Sequence, residues 1–352
     1  MNALLEAVDL AKHFPVRTGL FGRAGAWVRA VDGVSMLLHP AETFAIVGES
    51  GCGKSTLARL LVRLVAPTRG TLHLEGVDLA SLPAPALRRA RGRLQIVFQD
   101  PYGSLNPRLA IGAMLEEPLV LHEVVPAPQR RRRVDELLAL VGLRPGDVRR
   151  YPHEFSGGQR QRLAIARALA SAPRVIVCDE PVSALDVSIQ AQILNLLADL
   201  QHRLGVAYVF ISHDLSVVRQ IATRVAVMYL GRFVEAGSAD EVFARPRHPY
   251  TRTLIAAVPV PVPGARARSG IVADDVPNPL APPSGCHFHP RCPHAIERCR
   301  LEVPELETTS PGGSVACHRW RELDAVSSSR PRRATNNPAL ARLQAAFVGR
   351  RS

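Results

Sequence analysis

The run Phe44-Ala-Ile-Val-Gly-Glu-Ser-Gly-Cys-Gly-Lys-Ser-Thr-Leu-Ala-Arg-Leu-Leu61 decides how the rest of the chain is read. Its apolar opening, Phe44 to Val47, suits a strand buried on both faces of a parallel sheet. Leu57, Leu60, Leu61 and Leu64 then recur at helical spacing. Between the two, Gly48 to Thr56 fits the phosphate-loop pattern G-x-x-x-x-G-K-[ST]. Glycines there let backbone N–H groups turn inward, and the helix N-terminus adds a favourable dipole for an anion. The pattern places Gly48, Ser50, Gly51, Gly53 and Thr56 in a phosphate cradle. Lys54 is then set to reach the β- and γ-phosphates, and the Ser55 hydroxyl to ligate Mg²⁺.

A second run, Arg174-Val-Ile-Val-Cys-Asp-Glu180, ends in two adjacent acids. At the carboxyl end of a central strand, Asp179 would hold Mg²⁺ through water and Glu180 would polarise the attacking water. Together the two runs describe a phosphate-loop nucleotide hydrolase. Between them, Phe155-Ser-Gly-Gly-Gln159 precedes a helix-like stretch rich in Leu and Ala, Arg160 to Ala170. The Ser-Gly-Gly turn makes another helix N-terminus with free N–H donors, a second phosphate-binding surface. One nucleotide does not need two such cradles from one subunit. A sandwich dimer does, with each ATP held by one subunit's loop and the other's helix start.

This ordered set resembles the ATP-binding subunits of ABC transporters, over residues 4 to about 240. Gln99 in Val97-Phe-Gln-Asp-Pro-Tyr102, Ser183-Ala-Leu-Asp186, and His213 in Phe210-Ile-Ser-His-Asp214 complete it. The resemblance implies an α/β fold with three parts: a RecA-like parallel sheet, an antiparallel β subdomain and an inserted α-helical subdomain. It further implies that Gln99 contacts Mg²⁺ and the water and that His213 contacts the γ-phosphate. Ser156, Gly157, Gly158 and Gln159 would grip the ATP bound across the dimer, with Asp186 at the seam. For the aromatic that stacks on adenine the reading is Phe14, with Trp27 as the alternative because residues 15 to 28 look inserted.

Two further strings narrow the resemblance to dipeptide and oligopeptide importers. They are Gln99-Asp-Pro-Tyr-Gly-Ser-Leu-Asn-Pro-Arg108 and Arg247-His-Pro-Tyr-Thr251. The expected organisation is an ATPase domain over 1–245, with its helical subdomain at 96–170, then a Cys-rich extension over 246–324 and a disordered tail over 325–352. Pro259 to Pro283 reads as an extended linker, and Ala339 to Phe347 as a possible short helix. The implied partners are two transmembrane permease subunits, a second ABC ATPase (sister chain or self) and, indirectly, an extracytoplasmic solute-binding protein. The implied place is the cytoplasmic face of a bacterial cell membrane. Nickel or another small solute is the alternative cargo. A soluble ABC ATPase acting on nucleic acid is the alternative class.

Composition bounds these readings. At 352 residues, 47% hydrophobic and 21% charged, the chain is a globular protein with room for two or three domains. No apolar run reaches the ~18 residues of a membrane span, and the N-terminus lacks a signal peptide's layout. The expectation is a chain kept in the cytosol, with other subunits supplying the membrane spans. The net charge is +13, and of the 44 basic residues only Lys12 and Lys54 are lysine. Much of the arginine falls in bursts such as Arg130 to Arg133, which reads as solvated surface, and no nucleic-acid partner is expected.

Four of the six cysteines, Cys286, Cys292, Cys299 and Cys317, crowd into 32 positions, separated by five, six and seventeen residues. Cytosolic disulfides are rare, so a metal site or reduced thiols is the expectation. Four thiolates suit a [4Fe–4S] cluster or a tetrahedral Zn²⁺, and the wide spacing favours the cluster. His287, His289, His294 and His318 are available as substitutes in a zinc site. The resemblance points the same way, since some peptide-importer ATPases carry a [4Fe–4S] cluster in such an extension. Cys52 and Cys178, within the loop and strand runs, read as small buried fillers, with Cys52 a candidate for attack by thiol reagents.

Overall fold

The computed structural model describes residues 3–18, 23–258, 278, 280–310 and 312–323. Of the expected linker over 259–283, residues 259–277 and 279 lie outside these residues, as does the expected tail over 325–352 with its short helix at 339–347. Among the described residues the strands are, in chain order, β1 (Leu5–Thr18), β2 (Arg23–Leu38), β3 (Thr43–Val47), β4 (Arg69–Leu74), β5 (Val77–Asp78) and β6 (Leu94–Val97). They continue with β7 (Val175–Asp179), β8 (Ala207–Ser212), β9 (Arg224–Tyr229), β10 (Arg232–Ser238), β11 (Glu307–Ser310) and β12 (Gly313–Val315).

Two sheets result. The first is antiparallel, in the order β2-β1-β4-β5. The second runs β11-β12-β10-β9-β3-β8-β7-β6, with β9 through β6 parallel and β10, β12 and β11 antiparallel. The central strands β3, β7 and β8 are buried along their whole length. Such unbroken apolar runs are what a parallel sheet covered on both faces requires. Alternation sends Phe44 and Ile46 into a core shared with the antiparallel sheet and with Leu57, Leu60 and Leu61 of the helix Lys54–Leu61. Ala45 and Val47 face the other way, into the core of the helical subdomain. Each fully buried side chain of this size contributes about 1.5–3 kcal/mol.

The structure refines the sequence reading at three places. The helix after the phosphate loop stops at Leu61, and Leu64, expected on its apolar face, is 50% exposed. Of residues 15 to 28, which look inserted, 15–18 and 23–28 prolong β1 and β2, pairing Pro15 with Trp27 and Val16 with Ala26. The sheet strand β6 runs through Val97, so the helical part begins after it rather than at 96. That part packs the helices Ile111–Leu121, Arg130–Leu140 and Gly157–Ala170 around Met114, Leu115, Leu137, Leu138 and Leu163. The arginine burst opens the second of these helices, where Arg131 pairs with Asp135 at 3.5 Å and Arg132 with Glu136 at 3.0 Å.

The segment past residue 246 is continuous with the ATPase sheet. Its β12 pairs with β10 (Glu235 opposite Val315, Ala236 opposite Ser314), and β11 pairs with β12. Its His-Pro-Tyr string caps and opens the helix Pro249–Ala256: His248 Nδ1 accepts from the Tyr250 N–H at 3.1 Å. Burial there pushes the His248 imidazole down to about 3, so it stays neutral and able to accept.

One buried group is unpaid for by hydrogen bonding. Tyr208 on β8 is wholly buried, and its hydroxyl has no hydrogen-bond partner among the described residues. Such a group costs about 1–3 kcal/mol. Tyr208→Phe is therefore expected to stabilise the chain by about 1 kcal/mol in urea unfolding; an unchanged or lower midpoint would show that the hydroxyl is satisfied.

Candidate functional site

Parallel strands end on the same side of a sheet, and four of these carry the sequence-predicted chemistry at their carboxyl ends. The phosphate loop follows β3, Gln99 follows β6, Asp179 closes β7 with Glu180 next, and His213 follows β8. The phosphate loop, Gln99, Glu180 and His213 line one cavity of about 510 Å³.

The loop is clamped by main chain. A Cβ at Gly48 would lie 2.2 Å from the Met228 carbonyl oxygen, and one at Gly53 would lie 2.0 Å from that of Ala30. Gly53 also has φ +109°, in the left-handed region. Lys54 is buried at 4% exposure, and its Nζ donates to the carbonyls of Gly48 and Glu49, both at 2.9 Å. The ammonium is thus fixed under the cradle. The Ser55 hydroxyl donates to Asp179 Oδ1 at 3.0 Å, setting two oxygen donors side by side. Burial raises the Asp179 carboxyl; the Ser55 hydrogen bond lowers it, adjacent Glu180 raises it further, and Arg59 and Lys54 draw it down.

Glu180 adopts φ +48°, uncommon for a residue with a side chain. This turn, held by its N–H donating to the Ile211 carbonyl at 3.0 Å, brings the carboxylate between Gln99 and His213. Gln99 Nε2 donates to Glu180 Oε2 at 3.1 Å, and His213 Nδ1 lies 3.0 Å from the same oxygen. A contact with a carboxylate oxygen, which only accepts, requires the Nδ1–H form of the imidazole. Backbone strain of this kind costs about 1–3 kcal/mol and collects at functional sites.

The other predicted phosphate surface lies elsewhere. Ser156 caps the helix Gly157–Ala170: its hydroxyl accepts from the Gln159 N–H at 3.4 Å, and Gln159 Oε1 accepts from the Ser156 N–H at 3.0 Å. None of Ser156 to Gln159 lines the cavity, nor does Asp186. Ser156, Gln159 and Asp186 are exposed, and the neighbouring Val187 is 82% exposed.

Phe14 also stays off the cavity wall. It pairs across the hairpin with Val28, which does line it, and Lys12 Nζ sits 5.2 Å from its ring centroid. Trp27 is half-exposed and faces a different cavity. The residues that the sequence reading missed are Val28, Arg29 and Ala30 from β2, Leu230 and Gly231 between β9 and β10, and Pro282 and His287 from the extension. No motif marks them; only the pairing of distant segments brings them in.

The four extension cysteines line one small cavity together with Phe288, His289, His294 and His318. Among the described residues, no three His, Cys, Asp or Glu are grouped so as to hold a metal ion. Burial pushes the Cys286 thiol up to about 12 and the Cys317 thiol up to about 11. Any metal would therefore displace protons on binding. Cys52 is 2% exposed and burial raises its thiol, so it is a packed filler rather than a reactive group.

Comparison with known proteins agrees with this geometry. Residues 31–183 match the ABC transporter family, and residues 234–299 match the oligopeptide/dipeptide transporter C-terminal region. A probable peptide ABC transporter ATP-binding protein, y4tS of Sinorhizobium fredii, is 56% identical over 318 residues, 90% of each chain. This chain belongs to the ATP-binding proteins of ABC transporters. The dipeptide transport ATP-binding protein DppF of Escherichia coli is 51% identical over 314 residues, 89% of this ABC protein and 93% of its own length. Among solved structures, the post-hydrolysis dimer of the ATP-binding cassette MJ0796 bound to ADP and Pi is 28% identical. It aligns with a TM-score of 0.59, covering 67% of this chain and 98% of the other. The chain is accordingly an ABC ATPase.

Gly53→Ala tests the clamp. It combines a forbidden φ with a main-chain clash, so a stability loss of about 2 kcal/mol or more is expected, with loss of MgATP binding. Unchanged melting together with unchanged MgATP titration would show that the loop has room to move.

Proposed function

We propose that this ABC ATPase energises import of dipeptides or oligopeptides, as one of two cassettes docked beneath two transmembrane permease subunits. The observation that carries the reading is the match of residues 234–299 to the oligopeptide/dipeptide transporter C-terminal region, joined to near full-length likeness to peptide-transport ATP-binding proteins. No helix among the described residues is long and apolar enough to cross a membrane. The chain would work from the cytoplasmic face, with cargo delivered to the permeases by an extracytoplasmic binding protein.

In this reading Lys54 and the loop N–H groups hold the β- and γ-phosphates. Ser55 and Asp179, whose oxygens already lie together, would hold Mg²⁺, with Gln99 beside them. The ion would neutralise phosphate charge. Glu180 orients the attacking water and takes its proton, since Oε2 is engaged by Gln99 and His213 while Oε1 makes no hydrogen bond among the described residues. His213 and Gln99 hold that carboxylate and reach toward the γ-phosphate. Ser156, Gly157, Gly158 and Gln159 of a second cassette complete the site, with Asp186 at the seam and Phe14 as the stacking aromatic.

Glu180→Gln is expected to lower ATP turnover by at least about a hundredfold while MgATP binding persists. Turnover near the wild-type rate would remove Glu180 from the role of base. Pull-down from gently solubilised membranes should recover two multi-span permeases and a second ATPase. Recovery with nucleic acid and without permease would overturn the importer reading.

We infer also that Cys286, Cys292, Cys299 and Cys317 hold an iron–sulfur cluster. The support is that all four thiols, spread over 32 positions, line one cavity. Such a cluster would supply cross-linking of the extension through its thiolates. Full-length protein purified without oxygen should contain iron and acid-labile sulfide, both lost in Cys299→Ser. Iron and sulfide at background in the wild type would overturn this assignment.

A further inference from the structure

Glu49 occupies an unspecified position of the phosphate-loop pattern, yet it is the most heavily engaged residue of that loop. Its carbonyl accepts from Lys54 Nζ at 2.9 Å. Its backbone N–H donates to the Tyr250 hydroxyl at 2.9 Å, from the His-Pro-Tyr helix 201 residues further on. Its carboxylate receives both arms of a guanidinium: Arg291 Nη1 donates to Oε2 at 2.8 Å and Nη2 to Oε1 at 2.9 Å. Arg291 is buried, in the short turn between Cys286 and Cys292. The braces are tied to each other as well. Tyr229, Tyr250 and Phe288 form one aromatic cluster with ring centroids 4.6–5.4 Å apart, and the Tyr229 hydroxyl lies 3.5 Å from Arg291 Nη1.

We propose that Arg291 is a positioning residue for the ATP site: through Glu49 it fixes the main chain that places Lys54, which makes the Cys-rich extension a working part of the phosphate loop. A bidentate Arg–carboxylate pair fixes distance and plane together, which a single hydrogen bond does not. Here the plane that is fixed is that of the Glu49 carboxylate, four bonds along the side chain from the carbonyl that holds the Lys54 ammonium. Tyr250, Lys54 and the Cys52 N–H hold the Glu49 main chain but not its side chain. Arg291 adds a two-point hold on that side chain and so restricts the residue further. The aromatic cluster gives the same service to Tyr250, so the two braces share one support. The role is one of binding rather than bond-breaking, because Arg291 reaches the phosphates only through Glu49 and Lys54. Glu180, Gln99 and His213 are held by separate hydrogen bonds and keep their geometry when Arg291 changes.

The proposal rests on the cavity being an ATP site, and its test separates the two. Full-length wild type, Arg291→Gln, Arg291→Lys, Glu49→Gln and the double variant Glu49→Gln/Arg291→Gln are titrated with MgATP and assayed for turnover. Loss of the pair should weaken MgATP binding and raise KM by about tenfold or more. The rate at saturating ATP should fall by less than about threefold. Arg291→Lys keeps the charge without the fork and should recover only part of the affinity. The double variant should bind no more weakly than either single one, because both remove the same contact. Wild-type binding with unchanged affinity in Arg291→Gln and Glu49→Gln would overturn the proposal, as would additive losses in the double variant. A lowered melting temperature with unchanged KM would reduce Arg291 to an anchor and overturn it too. Failure of the wild type to bind MgATP would overturn the ATP reading along with it. Should Arg291→Gln not fold, Glu49→Gln, which leaves the extension untouched, carries the test alone.

Discussion

The structure depends on how closely one loop is pressed against its neighbours' main chain. At Gly48 and Gly53 the backbone of β9 and of β2 leaves no space for even a methyl group. Those two contacts come from different sheets, so the phosphate loop is one place where the antiparallel and the parallel sheet are joined. The consequence reaches through the fold. Once β3 delivers its loop into that gap, the flanking parallel strands must end beside it. The carboxyl ends of β6, β7 and β8 therefore bring Gln99, the Asp179–Glu180 pair and His213 beside that loop.

The same geometry keeps the second helix start apart from the cavity. Ser156 to Gln159 begin a helix of the inserted subdomain, capped and ready, but outside the cavity where this chain's own loop lies. The second cassette proposed above would bring such a helix start to the cavity, with Asp186 and the exposed Val187 on the face it covers.

Much of this was legible in the sequence because it is local. A strand, a glycine-rich turn and a helix lie within 18 consecutive residues from Phe44 to Leu61, and the acidic pair follows its own apolar run. Periodicity and turn chemistry report such neighbours directly. The limits of that reading are equally physical. Leu64 carries the right spacing, but Arg63 enters the left-handed region at φ +57° and the helix has already ended. Residues 15 to 28 looked like an insertion because hairpin extension has no spacing of its own. The union of Glu49 with Arg291 was invisible for a different reason: one is an unspecified loop position, the other one arginine among many. Only the sheet, by adding β12 beside β10, makes them neighbours.

That long-range brace has a consequence for how the protein is made. Residues 48 to 56 leave the ribosome early, with their strand and helix close behind. Arg291 follows Glu49 by 242 residues. At translation rates of about 5–20 residues per second, that gap lasts roughly 10–50 s. Throughout it the loop exists without its final support, and Tyr250 arrives before Arg291. Assembly of the cassette is thus ordered in time by the chain itself, with the earliest-made functional element among the last to be finished.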